Sequence, residues 1–276
     1  MAGLVFPTIA RMDAIPTTLR TGREARQAIR SRLHRGATSG LAPGYVQANL
    51  AIVPAAWAYD FLKFCQRNPK PCPLLGVGET GAVDLPELGV GIDIRRDLPG
   101  YRVWRDGRHC GDVADLATLW QDDWVSFAIG CSFSFEQALA THGIGVRNIE
   151  QGVNVSMFVT RLQTTPAGPF GGPVVVSMRP MSPADAIRAV RLTARYPLAH
   201  GAPLHVGDPA ALGIDDLSRP DFGDPVELRD GEVPVFWACG VTPQAAMQRA
   251  ALPTCVTHIP GQMLVTDLLI NDLELR

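Results

Sequence analysis

The sequence predicts an α/β protein, and three observations carry that prediction. In four places an apolar, strand-like run is followed within a few residues by a helix start: "VSFAIGCSFSFEQAL", "GPVVVSMRPMSPADAIRAV", "PLHVGDPAALG" and "VPVFWACGVTPQAAM". Ser182 with Pro183 and Asp185, Asp208 with Pro209, and Thr242 with Pro243 stand where a helix needs an oxygen acceptor and a preset φ. A content of 46% hydrophobic and 19% charged residues over 276 positions is enough for a full core, built as one large domain or two smaller ones. Strand-then-helix units of this kind build a largely parallel sheet with helices on its faces.

The elements follow in order. "TGREARQAIRSRLHRG" reads as a helix from a Thr21/Glu24 capping box to a stop at Gly36, its arginines forming a solvated face. "GLAPGYVQANLAIV" runs from a turn into an extended segment, and Pro54 opens a second helix through "AAWAYDFLKFCQRN". "PKPCPLLGVGETG" is too rich in proline and glycine to be helical, and "GIDIRRDLPGYRVWRDGRHCGDV" reads as two short strands around turns at Pro99-Gly100 and Asp106-Gly107. "TRLQTTPAGPFGGP", Thr160 to Pro173, is the longest irregular stretch of the second half and a candidate lid or interdomain crossing.

Several function classes are disfavoured. A net charge of −2 gives no footprint for nucleic acid or an anionic membrane, so the partner is small or proteinaceous. No apolar run reaches the roughly 18–20 residues of a membrane span, and "MAGLVFPTIARMD" lacks the order of a signal peptide, so a cytoplasmic location is the default. Cys65, Cys72, Cys110, Cys131, Cys239 and Cys255 are spread without a C-x-x-C pair and read as free thiols. No P-loop, G-x-S-x-G elbow or G-x-G-x-x-G ahead of a helix is present, which disfavours nucleotide cofactors.

Chemistry concentrates at strand ends. "FAIGCSFSFEQALA" and "VFWACGVTPQAAMQ" both read strand, Cys, two residues, Ser or Thr, helix; they are either two solutions to one corner or a weak internal duplication. A helix N-terminus offers unpaired N–H groups and a partial positive charge, suited to a carboxylate or phosphate. This marks Ser132, Ser134, Cys239 and Thr242 as binding candidates, although Ser134 with Gln137 also has capping-box spacing. Cys131 at a helix start is a candidate nucleophile that lacks an adjacent base in sequence. Glu136, in the first helical turn, either complements the dipole or serves as general acid or base. His258, before a Pro-Gly turn, and Asp267 complete the catalytic candidates, while Arg95, Arg102 and Asn154 join the binding set, the two arginines as bidentate carboxylate grips.

The motifs "GLAPGYVQANL", "DFLKFCQRNPKPCPLL", "DIRRDLPGYRVWRDG", "IGCSFSFEQAL", "VVVSMRP", "HGAPLHVGDPAALGI", "RPDFGDPVE", "VPVFWACGVTPQA" and "THIPGQMLVTD", in this order, resemble the hydro-lyase family related to D-glutamate cyclase. The resemblance covers nearly the whole chain. It implies a three-layer α/β/α sandwich with a second, smaller α+β unit, drawn here as 1–118 with 225–276 and an inserted 119–224. It also implies a lyase, the D-glutamate cyclase relative converting D-glutamate to 5-oxo-D-proline with loss of water. Such a cyclisation needs grips for two carboxylates and an acid/base pair, and in principle no metal or organic cofactor. The family pattern has histidines where this chain has Asn148, Gly171 and Gln262, and other polar residues within Val159–Thr165. Three readings follow: a lyase acting on a small carboxylate, a carboxylate-binding protein without turnover, and cysteine-based acyl transfer. A homo-oligomer stays open in each.

Overall fold

The computed structural model describes residues 19–275; the signal-peptide reading of Met1–Asp13 lies outside them. Among the described residues six α-helices and eleven strands follow in this order: α1 Gly22–Arg30, β1 Tyr45–Pro54, α2 Ala55–Arg67, β2 Leu74–Val77, β3 Tyr101–Arg105, β4 Arg108–Val113, β5 Trp124–Gly130, α3 Phe133–Thr141, α4 Arg147–Gln151, β6 Ser156–Gln163, β7 Pro173–Met181, α5 Pro183–Thr193, β8 His205–Val206, β9 Val233–Ala238, α6 Val241–Ala250, β10 Cys255–His258 and β11 Leu264–Leu269. The fold is α/β in its mixture of helices and sheets, organised around two sheets.

The pairing differs from the parallel expectation: every ladder between described strands is antiparallel. The larger sheet runs β2-β5-β1-β10-β3-β4 with β11 also on β1, and the smaller runs β6-β7-β9-β8. The strand-cap-helix units are real, but they are divided between two sheets and interleaved with antiparallel strands. β5 belongs to the large sheet and β9 to the small one, and α6 carries the chain from β9 across to β10. In the small sheet α5 carries the chain from β7 to β8, but β9 lies between them, antiparallel to both, so parallel strands do not become neighbours.

Local chemistry explains the element ends. α1 starts at the Thr21/Glu24 capping box, but it stops at Arg30 because Arg32 turns left-handed, with φ 59°. α5 is capped by Ser182, whose hydroxyl accepts from the Asp185 N–H at 3.1 Å. The β3–β4 hairpin turns at Asp106 (φ 48°) and Gly107 (φ 73°), as a two-residue primed turn requires. The arginines of α1 are not all solvated: Arg26 is buried, and both its terminal nitrogens donate to the Asp267 carboxylate at 2.9 Å.

The proposed lid is a packed hairpin loop. β6 extends to Gln163 and β7 begins at Pro173; between them Ala167 and Phe170 bridge, and the buried Phe170 ring meets Phe61 edge-on at 5.0 Å. Asn68 binds both the N–H and the carbonyl of Thr165 at 2.8 Å. Among the described residues no helix is long and apolar enough to cross a membrane.

Candidate functional site

β1 shares one edge between two strands. Ala51 and Ile52 pair with β10, Gln47 and Ala48 pair with β11, and the turn 259–263 lies between. Asn49 and Leu50 sit where the ladder parts. There the Leu50 N–H donates to Nδ1 of His258 at 3.2 Å, and Asn49 donates through Nδ2 to the carbonyls of Gly130 at 2.9 Å and Ile129 at 3.3 Å. A broken ladder thus supplies two polar side chains and a gap.

Into this gap point the two twin corners, one from each sheet. After β5 comes Cys131 and after β9 comes Cys239; the N–H three residues on closes a turn onto each cysteine carbonyl, from Ser134 at 3.2 Å and from Thr242 at 3.0 Å. The next residues share one conformation, Ser132 with φ −62°, ψ −21° and Gly240 with φ −64°, ψ −5°. Gly240 is therefore glycine for space, not for backbone freedom: a Cβ there would lie 2.7 Å from Cγ of Asn49. The pocket between the corners encloses about 440 Å³ of non-atom space, open mouth included. Besides the corner residues it is bounded by Asn49, Asn154, Met157, Gln244, His258 and Met263, with the Pro260-Gly261 turn.

The electrostatics are those of buried, neutral groups. Burial raises the Cys131 thiol to about 12, against the N–H of Phe133, which lowers it, with ionised Cys239 and Glu136 raising it further. Burial raises Cys239 to about 11, opposed by the N–H of Val241. Its sulfur lies 3.5 Å from that of Met157. Burial lowers His258 to about 4, so its imidazole is neutral near pH 7; Nδ1 lies 3.2 Å from the Leu50 nitrogen and 3.4 Å from its carbonyl oxygen, and Nε2 lies 3.1 Å from the Gln244 amide nitrogen.

Of the sequence-predicted residues, the pocket brings together Cys131, Ser132, Asn154, Cys239 and His258. The others lie elsewhere. Glu136 is 3% exposed and paired with the buried Arg179 of β7, whose Nε donates to Oε1 at 2.9 Å. Ser134 is buried with its hydroxyl unpartnered and does not cap α3, which begins at Phe133. Thr242 does not cap α6 either; its Oγ1 accepts from the Val175 N–H at 3.0 Å and ties the helix to β7. Asp267 grips Arg26, Arg95 pairs with Asp93, and Arg102 binds Asp112 through two nitrogens. Asn148, Gly171 and Gln262 do not line the pocket.

Three contributors escaped the sequence reading. Asn49 and Gln244 line the pocket, and Arg179 lies behind it, donating through Nη2 to the Ser132 hydroxyl and through Nη1 to that of Ser177, both at 3.0 Å. The available signal was a polar residue inside an apolar strand: Asn49 in "YVQANLAIV" and Arg179 in "VVVSMRP". Among the described residues no group of three or more His, Cys, Asp or Glu is placed to hold a metal ion.

The segment that builds both corners is also the one that places the chain among known proteins. Residues 125–267, from β5 to β11, match the profile of the D-glutamate cyclase family. The chain belongs to that family. Relatives carrying the name "Putative hydro-lyase" extend the likeness to nearly full length. Proteins of Bordetella pertussis and Bordetella parapertussis are each 60% identical over 95% of this chain and 96% of their own, and one of Verminephrobacter eiseniae is 59% identical over 96% and 97%. One solved structure, a nitrogen repressor-like protein of Methanococcus jannaschii, overlaps 86% of this chain and 91% of its own with a TM-score of 0.36 and 9% identity, too slight a likeness to speak for function. Within the D-glutamate cyclase family, then, the pocket between Cys131 and Cys239 is the candidate active site.

Proposed function

We propose that this family member is a lyase that removes water from a small carboxylate-bearing substrate held between the Cys131 and Cys239 corners, with cyclisation of D-glutamate to 5-oxo-D-proline as its reference reaction. One observation carries the reading: donors without protein acceptors, Ser132 and Asn154, border the pocket beside two helix N-termini. Ser132 is 4% exposed, accepts from Arg179, and has no acceptor for its own hydroxyl proton; Asn154 uses its Oδ1 on the Val155 N–H and leaves Nδ2 to the pocket. Hydroxyl and amide donors next to two positive helix ends suit an anion. Asn49 supplies the complement: with Nδ2 on two carbonyls, its Oδ1 is an acceptor for a substrate amine or hydroxyl.

The binding-only reading drew on Asn148, Gly171 and Gln262, and it loses support because none of them borders the pocket. Acyl transfer by Cys131 loses support because no free base stands beside it, Nδ1 of His258 being engaged by the Leu50 N–H and Nε2 by Gln244. Incubation of purified protein with D-glutamate and a panel of hydroxy and amino dicarboxylates, followed by mass spectrometry, tests the reading. A product lighter by one water, lost in Ser132→Ala, is expected; no such product from any panel member would refute it.

A further inference from the structure

The pocket contains few groups that can exchange a proton. Its bounding residues include no Asp, Glu, Lys, Arg or Tyr; the titratable ones are Cys131, Cys239 and His258. His258 is tied through Nδ1 to the Leu50 N–H and through Nε2 to Gln244. The two thiols are equivalent by construction. Each follows a strand, each begins a helix of nine or ten residues, and each receives the N–H of the residue two places on. They follow strands of different sheets, and both border the pocket. Two further features point to a ligand between them: Asn49, 6% exposed, with Oδ1 unpartnered, and the Ser132 hydroxyl proton, without an acceptor.

We propose that Cys131 and Cys239 are a facing acid–base pair working on the carbon next to the substrate carboxylate, and that the substrate class is a small acid with an amine or hydroxyl on that carbon and a hydroxyl on the next. This rests on the reading of the pocket as a carboxylate site. One cysteine, as thiolate, takes the α-proton while the C–H electron pair becomes the new C=C π bond. The β C–O bond breaks toward oxygen, which takes the proton of the opposite thiol and leaves as water. The first sulfur ends protonated and the second ionised, and exchange with solvent restores the starting state. Ser132 and Asn154 hold the carboxylate as charge builds on it, and Asn49 accepts from the α substituent. Ionisation of Cys239 raises Cys131, so once one thiol has ionised the other stays protonated, as the step requires. Other charged groups near the pair are Arg179, acting on both sulfurs, its partner Glu136, acting on Cys131, and, beyond His258, Arg102.

The test reads the α-proton by NMR in D2O, with D- and L-glutamate and their 3-hydroxy counterparts, and with thermal stabilisation as a separate measure of binding. The pair predicts loss of the α-proton signal even from compounds without a 3-hydroxyl. After subtraction of the uncatalysed rate, exchange should rise about tenfold per pH unit between roughly pH 7 and 9, as a thiolate fraction does below its pKa. Cys131→Ser and Cys239→Ser should each slow exchange by about 100-fold, the size of a general acid–base contribution, while stabilisation by the compound persists. A rate flat above about pH 6 would assign the proton to a low-pKa group such as His258 and overturn the pair. So would a serine variant retaining exchange within about threefold of wild type. Binding without exchange overturns the pair and leaves the carboxylate site standing; neither binding nor exchange overturns both. Should a variant fail to fold, the wild-type pH profile decides.

Discussion

Replacing Glu136 by Gln separates a structural carboxylate from a catalytic one. Glu136 is 3% exposed and Arg179 1%, and the guanidinium also meets the Ser132 and Ser177 hydroxyls and lies 5.1 Å over Phe135 and 5.5 Å over Trp237. Neutralising the acid leaves a buried cation whose remaining partners are uncharged. Breaking such a pair costs about 3–5 kcal/mol. For a chain of this size that is a fall in melting temperature of roughly 10 °C. Differential scanning calorimetry of the variant, with Glu136→Leu/Arg179→Met as the apolar control, measures it. The control should recover part of the loss, because removing both charges removes the uncompensated one. Under 1 kcal/mol of destabilisation together with lost turnover would refute the reasoning and return Glu136 to the catalytic groups.

Gly240→Ala should push Asn49 from its place, costing about 1–3 kcal/mol of stability by overpacking and weakening ligand binding more than Ala substitution at exposed Leu33; unchanged binding by calorimetric titration would contradict the steric account. Stability should fall with acid between about pH 6.5 and 4: unfolded His258 takes up a proton below 6.5, whereas the folded residue, lowered to about 4 by burial, does not. The loss is about 3 kcal/mol from this residue, with a like contribution from buried His200, also lowered to about 4. Urea midpoints of wild type and His258→Gln across that window check the sign, since the variant should be flatter. Phe170→Ala should cost about 3–5 kcal/mol as a core truncation while leaving binding unchanged; a large change in affinity would restore the hairpin as a lid.

The sequence reveals the local half of this fold well. Caps at Thr21 and Ser182 and the Asp106-Gly107 turn follow from short-range chemistry and stand where the spacing puts them; the twin cysteine corners recur too, but their helices start one residue before Ser134 and Thr242. Sheet pairing does not follow in the same way, because whether β9 lies beside β7 or β10 depends on where α6 deposits the chain. The same distance effect hides partners. Glu136 reads as a free first-turn acid until Arg179, 43 residues away, closes on it, and Asp267 reads as catalytic until Arg26, 241 residues away, fills its carboxylate. Conversely, Asn49 has no local signature of function; its role comes from the parting of β10 and β11 along β1.

That the pocket has one wall from each sheet has a mechanical consequence. Asn49 on the large sheet meets Gly240 on the small one with no Cβ between them, so the width of the cleft is the setting of one sheet against the other. Substitutions in the packing between sheets, such as at Trp237 or Val46 of the shared cluster, then act as a calliper on the cleft. A substitution there alters what fits without changing a residue that touches it.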